Sequence, residues 1–260
     1  MSRLDDFIKI EEDRGYFTED EWYEITILKY GAPMHAVLPA KDYAHSYRAR
    51  LPDVLLRLWL EHGWGSWNKG KFWLCDPGLL QPVIDSVFLD DPDYDANSMS
   101  VFAYDAFGKI YIWLGERRIL RIDWLENYAI VQQYDGWNPY ANVPESESIN
   151  LIGAIQAAIY TSSNGIDGAA HLGPDGKDML PAAIARLGEL GRDEVYGFRP
   201  ASGIKQANDI DNLQRVPILD HLKFLASAQR PILRRLELPA DGEPGFGKLV
   251  DIRPLGSLNR

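Results

Sequence analysis

Residues 100 to 132 constrain the fold more than any other part of the chain. They hold four runs, SVFAYDAFG, KIYIWLG, RILRIDWL and YAIVQQY, rich in β-branched and aromatic residues and punctuated by Gly108 and Gly115. Such runs with glycine punctuation predict an antiparallel meander.

Helices are expected on both sides of it. Glu19 to Tyr30 reads as a short helix with Thr18 as N-cap and Glu21 at the capping-box position, stopped by Gly31 and Pro33. In LPDVLLRLWLEHGWG, Pro52 suits a first helical position, Leu51, Leu55, Leu58, Trp59 and His62 share a face, and Gly63 stands where a helix ends. The next stretch predicts a turn through Trp64 and Trp67, a strand at Lys71 to Leu74, a helix from Asp76 and Pro77 to about Phe88, and an exposed acidic loop, DDPDYDANS. Beyond the meander, a polar stretch from Asp135 to Pro144 precedes a helix at about Ser148 to Ser162 and a turn-rich loop over 163–178. Met179 to Leu190 predicts a helix ending at Gly191, DEVYGFRP a short strand or turn, and Asp211 to Leu225 a helix with Pro217 in its first turn or kinking it. The Gly/Pro-rich residues from Pro239 onward predict a partly ordered tail. The fold class expected is α+β, with antiparallel sheets and packed helices in two closely associated domains, 1–100 and 101–238, and a tail over 239–260.

Charge and cysteine content narrow the function. The single cysteine, Cys75, excludes an intramolecular disulfide and a cysteine-based zinc cluster, which points to a reducing cytoplasm. The N-terminal residues carry acids where a signal peptide carries bases, and the longest apolar runs, such as Leu151 to Tyr160, fall far short of a bilayer span. Of the formal charge of −11, much sits between Lys71 and Lys109, where seven aspartates meet no lysine or arginine. Such a field repels nucleic acid and membranes and attracts basic partners.

Catalytic signatures do not emerge. The five histidines, His35, His45, His62, His171 and His221, lack metal-site spacing, and His62 and His221 suit hydrogen-bonded positions at a core edge. The GPDGKD at Gly173 lacks phosphate-loop spacing and reads as a turn, no Gly-x-Ser-x-Gly elbow occurs, and Cys75 reads as buried and structural. Asp91, Asp93, Asp95 and Asn97 alternate like the start of a calcium loop, but Ala96 and Phe102 stand where that loop needs glycine and glutamate. No cofactor and no metal are therefore expected. The tryptophans at 59, 64, 67 and 73 suit a core, with Trp64 and Trp67 beside glycines as possible partner anchors.

Two stretches carry a family resemblance. LPDVLLRLWLEHGWGSWNKGKFWLCDP resembles the GAD-like domain in its Leu-Pro helix start, the glycine after the helix and the Phe-Trp-x-x-Asp-Pro turn. LGELGRDEVYGFRPASGIKQANDIDNLQRVPILDHLKFLA resembles the C-terminal domain of immunity proteins that protect bacteria from their own type VI secretion DNase effectors. Its marks are Asp193 to Phe198, Asn212-Leu213 and His221-Leu222, and Phe107 to Glu116 fits the start of that second domain. The segment Ser202 to Lys205 departs from the expected Ala-Leu-Gly-Gly type turn. The resemblance implies a cytoplasmic protein, not an enzyme, whose partner is a cognate toxin with a basic nuclease domain. Asp90, Asp91, Asp93, Asp95, Trp64 and Trp67 are the expected contact residues, and the free protein is expected to be a monomer or weak dimer. Other classes remain open at this point: a small-molecule enzyme with a cleft between the two domains and the 163–178 loop as lid, or an interaction scaffold without a toxin partner.

Overall fold

The computed structural model describes residues 18–116, 118–133, 155, 171–173, 175–199, 210–237 and 248–256. Thr18 caps helix α1 (Glu19–Tyr30): its hydroxyl accepts the Glu21 N–H while the Glu21 carboxylate takes the Thr18 N–H at 2.7 Å, a complete capping box. After Gly31 comes strand β1 (Met34–Val37), then the short helix α2 (Lys41–Ser46) and α3 (Asp53–His62). Pro52 is the N-cap of α3, one position earlier than expected. Gly63 closes it at φ +81°, and a Cβ there would meet the Val37 carbonyl oxygen at 2.6 Å, so any other residue is excluded twice over.

Trp64–Trp67, expected as a turn, is strand β2, and it pairs antiparallel with both β1 and β3 (Phe72–Leu74). Helix α4 (Pro77–Val87) follows, with the Asp76 carboxylate accepting the Gly78 N–H at 2.9 Å. The meander is β4 (Ser100–Asp105), β5 (Ile110–Gly115), β6 (Arg118–Asp123) and β7 (Tyr128–Gln133), each antiparallel to the one before. Because β3 pairs with β4, the sheet runs through residue 100 without a break.

The later chain departs most from expectation. Helix α5 (Leu180–Leu187) stops at Gly188 rather than Gly191, and β8 (Glu194–Phe198) forms as expected. Leu213–Pro217, expected as helix, is strand β9, which pairs with β8 in a separate ribbon; Pro217 then serves as N-cap of α6 (Ile218–Ala228). The physical reason is local: the proline has no N–H for a helical bond and disfavours helix in the residue before it, so the helix begins after it. Strand β10 (Ile232–Glu237) pairs parallel to β7, and β11 (Lys248–Pro254), within the expected tail, pairs antiparallel to β10. The main sheet has nine strands in the order β1-β2-β3-β4-β5-β6-β7-β10-β11. The helix expected over 148–162 lies outside the described residues except Ile155, which is helical and buried.

Both faces of the sheet are covered over β3 to β6. Phe72, Leu74, Phe102, Trp113 and Ile119 pack with Leu55, Leu58 and Trp59 of α3 on one side. Trp73, Tyr104, Ile110, Ile112, Leu120 and Ile122 face α4, α5, α6 and the β8–β9 ribbon on the other. Strand alternation sends neighbours to opposite faces. The one lapse, Phe102 and Ala103 on the same side, coincides with the register shift in the β4–β5 pairing.

Candidate partner-binding surface

The acidic loop lies between α4 and β4. One of its aspartates, Asp91, is turned inward. Asp91 receives a bidentate guanidinium from Arg253 of β11, Nη2 to Oδ1 at 2.7 Å and Nη1 to Oδ2 at 2.9 Å, and also the Gly256 N–H at 2.7 Å. Its carboxylate accepts the Asp93 N–H as well, and its side chain is fully buried. Burial acts to raise the Asp91 carboxyl, but the Arg253 hydrogen bonds and the Asp93 and Gly256 amides hold it below the usual carboxylate range. Arg253 also reaches Asp93 at 2.6 Å, though the Asp93 side chain remains 62% exposed. Asp95 accepts the Asn97 N–H and caps a 3₁₀ turn at Ala96–Ser98. Asp90, at φ +53°, is exposed. Asp90, Asp93 and Asp95 thus present charge to solvent around a hollow of about 580 Å³ whose floor includes Phe88 and Tyr94. Asp91, expected as a contact residue, instead holds the loop to the end of the sheet.

The two tryptophans are placed elsewhere, on β2. Trp67 is buried, with its indole N–H donated to the Gly31 carbonyl at 2.9 Å, and belongs to the core. Trp64 is half-buried, its ring 5.6 Å from that of Trp59 and 6.0 Å from that of Tyr43. No hydrogen bond or ring contact joins either tryptophan to the acidic loop among the described residues. Cys75 is free and buried, and burial pushes its thiol well up, which leaves it inert at neutral pH. Among the described residues no group of three or more His, Cys, Asp or Glu side chains could hold a metal ion, and no helix is long and apolar enough to cross a membrane.

Residues with no sequence signal of their own form ionic contacts, one within the sheet and two from the sheet to the chain leading into α5, part of the layer formed by α5, β8, β9 and α6. Lys109 Nζ meets Asp123 Oδ2 at 2.9 Å, His171 Nε2 lies 2.9 Å from Asp105 Oδ2, and Lys71 Nζ meets Asp178 at 2.8 Å. The first pair is almost wholly dry, at 1% and 4% exposure. Burial acts to depress the Lys109 ammonium, yet Asp123 and Asp105 raise it; Asp123 is likewise held low by Lys109 against its own desolvation. The two lysines that bracket the acidic stretch in sequence are therefore engaged inside the protein. Within the same layer, His221 packs so closely on β8 that a Cβ on Gly197 would lie 2.7 Å from its ring. Burial, with Arg199 adding to it, pushes the His221 pKa down to about 4.

The comparisons with known proteins fall on two parts of this mixed α+β fold. Residues 21–126, covering all but the first two residues of α1 and running on through β6, match the GAD-like domain. Residues 174–228, which span α5, β8, β9 and α6, match the C-terminal domain of the T6SS immunity protein Tdi1. The two matches fall in the order expected from the sequence, and β7, β10 and β11 lie outside both. The crystal structure of Atu4351 from Agrobacterium tumefaciens shares the fold, with a TM-score of 0.74 and 21% identity over 91% of this chain and 99% of that one. No curated protein matches the chain.

Proposed function

We propose that this protein is a cytoplasmic immunity protein that binds and neutralises a cognate antibacterial toxin delivered by a type VI secretion system, the toxin being a DNase. The observation that carries this reading is the match of residues 174–228 to the C-terminal domain of a T6SS immunity protein, placed after a GAD-like domain. The acidic loop adds a physical argument. A nuclease domain binds a polyanion and presents cations, so the exposed Asp90, Asp93 and Asp95 offer charge complementary to it, while Trp64 offers a half-buried aromatic on a second face. Occlusion of a DNA-binding site requires no chemistry from the inhibitor.

Co-expression with the toxin encoded beside this chain tests the reading. Intact cellular DNA and co-elution of the two chains in a one-to-one complex are expected. Continued DNA cleavage in the presence of a stoichiometric amount of this protein would contradict it.

A further inference from the structure

A second surface lies at the opposite end of the sheet from β11, where its terminal strand β1 approaches the loop between α5 and β8. β1 has no neighbour on its outer side among the described residues, and all four of its residues are exposed. Met34, Val37 and the following Leu38 are exposed at 45%, 41% and 61%. An uncovered apolar edge strand is a template for strand addition unless something blocks it.

Beside this edge lies an open cleft of about 610 Å³ lined by His35, Ala36, Glu189, Arg192 and Arg215 among others. Its walls come from both family-matched regions, β1 from the first and residues 189–192 with Arg215 from the second. Arg192 donates to the His35 carbonyl at 3.2 Å and meets no carboxylate within ion-pair distance among the described residues. In Arg57, Arg234, Arg235 and Arg253, by contrast, a carboxylate lies within 2.9 Å. Arg215 is oriented by the Glu189 carbonyl at 3.1 Å and touches Glu194 only at 3.4 Å. Glu189 itself pairs with no cation among the described residues. His35, at φ +56°, lies over Trp73 with ring centroids 6.4 Å apart, so the cleft floor continues into the core.

We propose that the β1 edge and this cleft together receive an extended segment of the partner protein, with apolar side chains against Met34, Val37 and Leu38, an acidic residue on Arg192 and a basic residue on Glu189. The occupant is a protein segment because the β1 edge, which has no neighbour among the described residues, is interrupted only at His35 and offers main-chain hydrogen bonds beside exposed apolar side chains that a small anion does not use. The paired opposite charges set its register, since a segment shifted along the strand would meet like charges. This rests on the reading of the protein as one that binds a toxin.

The test uses the full chain and an inactive form of the toxin encoded beside it. Arg192→Glu and Glu189→Lys are each expected to weaken binding at least tenfold, and Arg235→Glu, on the distant β10, less than twofold, with all three retaining the wild-type melting temperature. A photo-crosslinker placed at Leu38 is expected to capture the toxin, and one at Arg235 is not; this arm stands even if a charge reversal impairs folding. Wild-type affinity in both reversals together with no capture at Leu38 overturns the proposal while leaving the toxin-binding reading intact. A wild-type protein that does not bind the toxin at all overturns both. Self-association lost in Arg192→Glu, with toxin binding unchanged, would make the occupant a second copy and overturn it as well.

Discussion

Two ionic systems in this protein differ in what surrounds them. At the seam made by the sheet and the chain leading into α5, Lys109–Asp123 lies buried within the sheet, while His171–Asp105 and Lys71–Asp178 cross from the sheet to the residues before α5. At the rim, Arg253 clasps Asp91 and Asp93 at the protein surface, with only Asp91 fully enclosed. The seam charges are committed to each other, and losing a partner there strands a charge in a dry interior. The rim combines one enclosed anion, which positions the loop, with others left facing water. Anions that water reaches can meet a partner at little desolvation cost, which the buried seam charges cannot.

The contrast can be broken most directly at the seam. Lys109→Met should destabilise the fold by about 3–5 kcal/mol in denaturant unfolding, because Asp123 keeps its amide hydrogen bonds but loses its ammonium. A loss below about 1 kcal/mol would show that the seam is wetter than its geometry implies.

Acid should separate the buried layer around α6 from the rim next. The His221 pKa is near 4 in the folded state against about 6.5 unfolded, so the unfolded chain binds the extra proton between those values. Stability from this group is therefore full above pH 6.5, falls as the pH drops toward 4, and totals about 3 kcal/mol. Asp91, held low by Arg253, keeps its charge through that window. Unfolding curves between pH 7 and 4 should show the loss in wild type and a smaller one in His221→Gln.

At the rim, Arg253→Ala should cost about 2 kcal/mol, the range of a charge-assisted hydrogen-bond pair. Hydrogen exchange should quicken in β10 and β11 and stay slow in the meander. The smallest effect belongs to the exposed anions: the double variant Asp90→Asn, Asp95→Asn should move stability by no more than about 0.5 kcal/mol. It should nevertheless slow toxin association and flatten its salt dependence, measured by stopped-flow mixing.

The same contrast explains what could be read from the sequence. The meander and α1, α3 and α4 were legible because their signals are local: strand runs between glycines, a capping box, a proline and an aspartate at a helix start. β2 was hidden because WGSW pairs glycine and serine with two tryptophans, a composition that reads as a turn until both neighbouring strands are present. β9 was hidden by the helical pattern that continues past Pro217, and β10 and β11 by their dependence on β7, about a hundred residues away in sequence. The acidic loop was visible as charge, but its inward aspartate was not, since Asp91 is turned in by an arginine 162 residues away. Trp67, indistinguishable from Trp64 in the sequence, is buried by its bond to Gly31. Arg192 and Glu189 gave no signal because only the folded chain lays β1 beside them.

We propose that this protein silences a toxin by binding it. Titrating purified protein into the DNase reaction of the toxin encoded beside it tests that most directly. Activity is predicted to fall linearly and vanish at one equivalent, with the end point unchanged when the DNA concentration is raised after complex formation. Full nuclease activity at several equivalents of correctly folded protein would contradict it.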